Sequence, residues 1–270
     1  MMPSRSSTGT AYELSGKARA PVVVLIHGLG LNRQVWQWHE PALASRFRVV
    51  NYDLYGHGKS SAPPIKPSLT VYAEQLRGLL DELGIWQAAL VGFSLGGMIN
   101  RRFALDYPHR VIALAILNSP HERSPEQQRL VEERAARSAA GGPGATLDAT
   151  IERWFTAGFR SRQPEVIAQV RQWVLANDAA NYAQCREVLA KGVIELIRPA
   201  VPVAKPALVM TCENDTGSSV AMAYAIAAEI AGARTIVVPQ LQHMGLVEQP
   251  ELFTDPLVHF LTASLGGYSA

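Results

Sequence analysis

The chain has 270 residues, 48% of them apolar, with 25 Lys or Arg against 23 Asp or Glu and a formal net charge of +2. That composition can bury a large core, and it excludes a disordered or low-complexity chain. Its two signs of charge are interspersed, so no nucleic-acid partner is expected. The longest apolar stretches, such as 22–26, fall far short of the roughly 20 residues needed to cross a bilayer, and the N-terminus has no apolar run of secretory-signal length. No membrane partner and a cytoplasmic location are expected. Cys185 and Cys212 cannot build a disulfide framework, and neither stands in a metal-ligand spacing, so both read as small buried apolar residues.

In chain order, residues 10–15 alternate weakly as an edge strand, and short β-branched runs follow at 22–26, 47–52, 88–92, 111–117, 206–212 and 235–238. Most are apolar at consecutive positions, the pattern of strands buried on both faces of a parallel sheet. Helical spacing fills the gaps: 70–83 ends at Gly84, and Gln249-Pro250-Glu251 opens a last helix toward Ala263. Between Ser119 and Val201 the strand signal vanishes and four helix-like stretches replace it. Ser124-Pro125-Glu126-Gln127 sets a hydroxyl at the N-cap, proline at the first helical position and glutamine three residues past the cap, so a helix is predicted through Arg137. The pattern divides the chain into an α/β core, residues 1–118 and 202–270, and a helical insert, residues 119–201.

Gly92-Phe93-Ser94-Leu95-Gly96-Gly97 follows the 88–91 strand and precedes a helical run from Met98. A strand-to-helix turn this tight strains the serine dihedrals and leaves no room for side chains two residues to either side. It holds Ser94 over the sheet edge at a helix N-terminus, where developing negative charge is favoured. Serine needs a base to take its proton and a carboxylate to orient that base. His243 lies in the loop after the 235–238 strand, and Asp215 follows the 207–211 strand, 28 residues before His243. Glu213 is the rival acid. Asp215 is preferred because the shorter carboxylate needs one or two turn residues beyond the strand to reach the imidazole. His39, His109, His121 and His259 lack such a context and read as solvated surface residues.

His27-Gly28-Leu29-Gly30 follows the first strong strand, and the backbone N–H groups of Leu29 and Leu95 are the candidate oxyanion donors. Asp53-Leu54-Tyr55-Gly56-His57-Gly58-Lys59-Ser60 lacks the spacing of a phosphate-binding loop and reads as a structural turn.

Together the H-G-x-G turn, the D-x-x-G-x-G-x-S loop, the G-x-S-x-G-G elbow, the late Asp and the H-M-x-x-x-E-x-P tail resemble the α/β-hydrolase superfamily from Pro21 to Leu261. The resemblance implies an eight-stranded, mostly parallel sheet flanked by helices, with a helical cap inserted after the sixth strand. It also implies Ser94 as nucleophile, His243 as base and Asp215 as orienting acid, with no metal or organic cofactor. Only a hairpin fits before Pro21, so seven strands is the alternative count. Serine at position 94 argues against haloalkane dehalogenase chemistry, which uses aspartate there. The H-G-L-G-L-N stretch with Trp36, and Arg153-Trp154-Phe155-Thr156, are similar to the 3-oxoadipate enol-lactonase and pimeloyl-carrier-protein methyl esterase branch.

The expectation is a serine hydrolase of a small carboxylic ester or lactone. A carbon–carbon bond hydrolase, a cofactor-free haloperoxidase-like enzyme and a ligand sensor on the same scaffold are the alternatives. Trp154, Phe155, Phe159, Trp173 and Tyr182 are candidate substrate-lining residues, although aromatic residues at helical spacing more often pack the core of the insert. Arg101 and Arg102 read as surface charges or partners of Asp106. Eleven basic and ten acidic residues in the insert give no sign of an anionic substrate.

Overall fold

Why the serine stands where it does follows from five strands with hardly a polar residue on either face. In the computed structural model, which describes residues 3–266, these are β3 (Val22–Ile26), β4 (Arg48–Tyr52), β5 (Ala88–Phe93), β6 (Val111–Leu117) and β7 (Ala207–Cys212). All but Arg48 are buried. A sheet so apolar on both faces must be covered on both by helices. It is extended at one edge by the antiparallel strands β1 (Ser4–Arg5) and β2 (Ala11–Gly16), and at the other by β8 (Arg234–Val238). The order is β1-β2-β4-β3-β5-β6-β7-β8, parallel from β4 onward. The short N-terminal segment thus supplies a two-stranded hairpin and completes eight strands.

The helices are α1 (Glu40–Ala44), α2 (Leu69–Glu82), α3 (Leu95–Asp106), α4 (Pro125–Gly141), α5 (Leu147–Trp154), α6 (Ala157–Arg162), α7 (Pro164–Leu175), α8 (Ala179–Lys191), α9 (Val220–Ala228), α10 (Gly245–Glu248) and α11 (Glu251–Leu265). Between β6 and β7 there are five helices, α4 to α8, where the sequence predicts four; α6, at six residues, is too short to show a helical repeat of apolar positions. The capping box at α4 is formed as its sequence requires: Gln127 N–H donates to Ser124 Oγ at 3.2 Å and Ser124 N–H to Gln127 Oε1 at 3.1 Å. Gly142, at φ +70°, ends this helix where a side chain would be strained.

Register brings the carboxyl ends of the strands level. Ile26 pairs with Gly92, Gly92 with Ile116 and Ile116 with Val209, so the loops leaving β3, β5 and β7 emerge at one edge. The helical segment is tied over that edge. Met244 N–H donates to Trp154 O at 2.9 Å, Glu248 accepts from Thr156 N–H at 2.7 Å and from its hydroxyl at 2.6 Å, and Asn177 Nδ2 donates to Gly30 O at 3.0 Å. No helix among the described residues is long and apolar enough to cross a membrane.

Candidate active site

Ser94 joins β5 to α3 at φ +55° and ψ −113°, outside the regions that L-residues ordinarily occupy. Its neighbours explain how the chain tolerates this. A Cβ on Gly92 would lie 2.2 Å from the Gly96 carbonyl oxygen, and one on Gly96 would lie 2.1 Å from that of Ile26. Glycine at both positions lets the first turn of α3 pack directly onto the ends of β3 and β5. The strain is held by β-sheet registry on one side and by the helix on the other, and Ser94 N–H donates to Leu117 O at 2.8 Å.

His243 Nδ1 lies 2.6 Å from Asp215 Oδ2, and a carboxylate there can only accept, so Nδ1 carries the proton. In the neutral ring this leaves Nε2 as the basic nitrogen. Asp215 is fixed from all sides: Asn118 Nδ2 donates to Oδ2 at 2.9 Å, and the N–H groups of Gly217 and Ser218 donate to Oδ1 at 2.9 and 3.0 Å. Burial by itself would raise its pKa. The opposing pull of the His243 imidazole, with the hydrogen bonds from His243, Asn118 and Ser218, outweighs burial and holds the carboxyl below its ordinary value. Glu213 is exposed and accepts from Gln240 N–H at 2.9 Å. Of the two acids, Asp215 is the one brought to the imidazole.

Ser94, Leu29, Trp154 and His243 line one cavity of about 70 Å³. Ser94 Oγ is not hydrogen-bonded to His243 among the described residues; such bonds often close only with substrate in place. Leu29 and Leu95 flank the site, and neither N–H has a backbone acceptor among the described residues outside regular elements. Gly28 allows the Leu29 loop to pass close to Ser94, because a Cβ there would stand 3.1 Å from that of the serine.

Of the predicted lining aromatics, Trp154 reaches the cavity, its ring centroid 5.9 Å from that of His243. Phe155 and Phe159 stack on each other at 5.5 Å and are absent from the lining, as are Trp173 and Tyr182. All five are buried, and four of them are taken up by packing within the helical segment, the alternative that helical spacing of aromatic residues already offered.

Other expectations fail for the same reason, that burial is a property of the fold. Arg101 is buried, donating to Gly97 O at 3.0 Å and Pro120 O at 2.6 Å, while Arg102 pairs with Asp106. His39 and His121 are buried too; His39 bridges Thr254 Oγ1 at 2.8 Å and Leu246 O at 2.9 Å. His109 and His259 are exposed. The Asp53 loop is indeed a turn, its carboxylate accepting from Arg33 N–H and Lys59 N–H, each at 2.8 Å. Both cysteines are free and buried, and burial pushes the Cys212 thiol up to about 12, which leaves it protonated and unreactive.

Two groups of residues at the site are not marked as site residues by the sequence, Arg153 entering there only through the resemblance of its stretch. Asn118, at φ +44°, directly follows β6 and holds Asp215. Arg123, Arg134, Arg153 and Arg186 all line the cavity that contains Ser94. They are spread over 64 positions of a segment whose overall charge is nearly balanced, so only folding assembles them.

The model of the Alpha/beta hydrolase family matches residues 23–255, which include the elbow, Asp215 and His243. The chain belongs to the alpha/beta hydrolase family. This hydrolase is 30% identical over 244 residues to 3-oxoadipate enol-lactonase 2 of Acinetobacter baylyi, a match covering 90% of this chain and 89% of that one. It is 27% identical to the pimeloyl-[acyl-carrier protein] methyl ester esterase of Aeromonas hydrophila, over 90% and 96% of the two chains. Among solved structures, the enol-lactonase of Burkholderia xenovorans LB400 superposes with a TM-score of 0.87 at 32% identity, covering 94% of this chain and 96% of that one.

Proposed function

We propose that this hydrolase cleaves a small carboxylic ester or lactone through an acyl-enzyme on Ser94. Similarity to a lactonase and to a methyl ester esterase supports the reaction class. The observation that carries it is the pairing of a strained Ser94 with an Asp215-bound His243 on one cavity. His243 Nε2 takes the Ser94 hydroxyl proton as Oγ bonds to the substrate carbonyl carbon. The tetrahedral oxyanion is met by the Leu95 N–H at the α3 N-terminus and the Leu29 N–H from the loop after β3, which lowers the barrier by several kcal/mol. On collapse, the bond to the leaving oxygen breaks and that oxygen takes the proton from His243. Water, deprotonated by the same nitrogen, then releases the acid and restores Ser94. Asp215 holds the tautomer and offsets the positive charge on the imidazole. The helices of residues 119–201 act as the cap that keeps this chemistry away from bulk water.

Ser94→Ala removes the attacking atom and nothing that supports the fold. The expected outcome is loss of methyl butyrate hydrolysis to background with an unchanged thermal unfolding midpoint. Undiminished turnover would overturn the mechanism.

A further inference from the structure

Four guanidinium groups converge on the cavity that holds Ser94. Arg123 comes from the stretch before α4, Arg134 from α4, Arg153 from α5 and Arg186 from α8. Among the described residues none of them forms an ion pair with an acidic side chain. Elsewhere the same chain pairs its arginines readily, as at Arg33, Arg77, Arg102 and Arg198. The hydrogen bonds the four do make go to neutral groups: Arg123 donates to Gln128 Oε1 and to the carbonyls of Leu189 and Ala190, and Arg186 to Tyr182 OH. Arg123 Nε is buried without any partner. Arg153 Nη1 lies 3.1 Å from the point a Gly217 Cβ would occupy, which sets it beside the Asp215 turn. Asp215 itself is saturated by His243, Asn118, Gly217 and Ser218 and has no capacity left for a guanidinium.

Burial and mutual repulsion are both unfavourable for such a cluster. Burial first, then the neighbouring arginines, lowers the pKa of Arg123 and of Arg153 to about 10, and Arg134 is lowered by the same causes. Arg123 and Arg153 nevertheless stay charged at neutral pH. Glu132 near Arg123 and Asp215 near Arg153 offset part of this charge without forming an ion pair, and positive charge so concentrated in one enclosed place is a site for an anionic ligand. One carboxylate engages at most two guanidinium groups in the forked geometry, which would leave two uncompensated.

Resting on the hydrolase reading above, we infer that the substrate is an ester or lactone bearing two carboxylates besides the reacting carbonyl, each held by a pair drawn from Arg123, Arg134, Arg153 and Arg186. The cap thereby selects substrate by charge while Ser94, His243 and Asp215 perform the chemistry. Because the four side chains come from separate elements of the cap, the dianion also draws α4, α5 and α8 together over Ser94.

The test compares three methyl esters on the full chain: methyl butyrate, monomethyl glutarate and the terminal monomethyl ester of tricarballylate, with none, one and two free carboxylates. The expected kcat/KM rises at least tenfold at each step, and the advantage of the dianion shrinks between 0.05 and 0.5 M NaCl. Arg134→Gln and Arg186→Gln should each cut the ratio of dianionic to neutral kcat/KM at least tenfold. A flat series, or one led by the neutral ester, overturns the inference while leaving the hydrolase reading intact. A phosphorylated ester of the same charge that outruns the tricarballylate ester tenfold overturns the dicarboxylate assignment in favour of phosphate. In parallel, tricarballylate is titrated into Ser94→Ala and thermal unfolding is followed. A salt-sensitive rise in Tm, together with no turnover of any ester by the wild type, would retain the anion site and sink the hydrolase reading. Absence of that rise overturns the anion site whether or not the arginine variants fold.

Discussion

At the scale of single residues, two acids at the end of one strand have different fates because of a two-residue offset. Glu213 points to solvent and accepts from the Gln240 N–H, whereas Asp215 turns inward at the end of its loop and meets His243. Asp215→Asn keeps the shape but presents an amide that can donate, so the imidazole is free to take the wrong tautomer. The expected loss is on the order of 10³ to 10⁴ in kcat with KM little changed. Glu213→Gln should stay within about twofold of wild type, since exposed charges contribute little. Steady-state kinetics on the two variants would decide it, and a reversed order would reassign the acid. The sequence already placed Ser94, Asp215 and His243 at the right strand ends, since each follows a recognisable apolar run. It misplaced Arg101 and His39 because a lone polar residue in an amphipathic stretch gives no sign of the neighbour that will bury it.

At the scale of elements, the elbow depends on close backbone approach. Gly92 is locked in register between Ile26 and Ile116, so an alanine there cannot retreat from the Gly96 carbonyl 2.2 Å from its Cβ. Gly92→Ala should cost about 3 kcal/mol through overpacking and displace Ser94 from the turn between β5 and α3. Gly78 offers the internal contrast: it lies inside α2, its added Cβ would meet nothing within 4 Å, and its φ is not positive. Gly78→Ala should stabilise the protein by about 0.5 to 1 kcal/mol through helix propensity and reduced freedom of the unfolded chain. Urea unfolding of both variants checks the pair, and equal midpoints would contradict the steric account. One glycine serves the site and the other does not, although composition treats them alike.

At the scale of the whole molecule, three buried histidines join segments distant in sequence. His27 Nε2 accepts from Leu54 N–H at 3.0 Å, His39 fastens the stretch before α1 to α10 and α11, and His57 packs edge-on against His27 at 5.3 Å. Burial is the main cause that lowers their pKa values, to about 4 for His27 and His39 and about 3 for His57. Below about pH 6.5 the unfolded chain takes up protons that the native state refuses. Their stabilising contribution is therefore complete above about 6.5 and is lost as pH falls toward 4. At pH 5 each costs about 2 kcal/mol, a substantial share of the 5 to 15 kcal/mol typical of a folded domain. The urea midpoint should fall steeply between pH 7 and pH 5, and His39→Gln should flatten that slope by about a third. A midpoint independent of pH over this range would show that these rings are not buried neutral.

Local chemistry settled the order of strands and helices, the α4 capping box, the elbow and the turn at Asp53, because each rests on residues within a few positions of one another: continuous apolar runs, a hydroxyl three residues before an amide, glycines two residues either side of a serine. Tertiary structure decided the rest. The N-terminal hairpin became two strands only because β4 offered an edge for β2 to pair with. Phe155 and Phe159 went to packing while Trp154 reached the cavity. Four arginines from four stretches of chain, invisible in a net charge of +2, came together beside one serine. Charge balance is a sum over the chain, whereas an electrostatic site depends on distances, and distances between residues far apart in sequence exist only once the chain has folded.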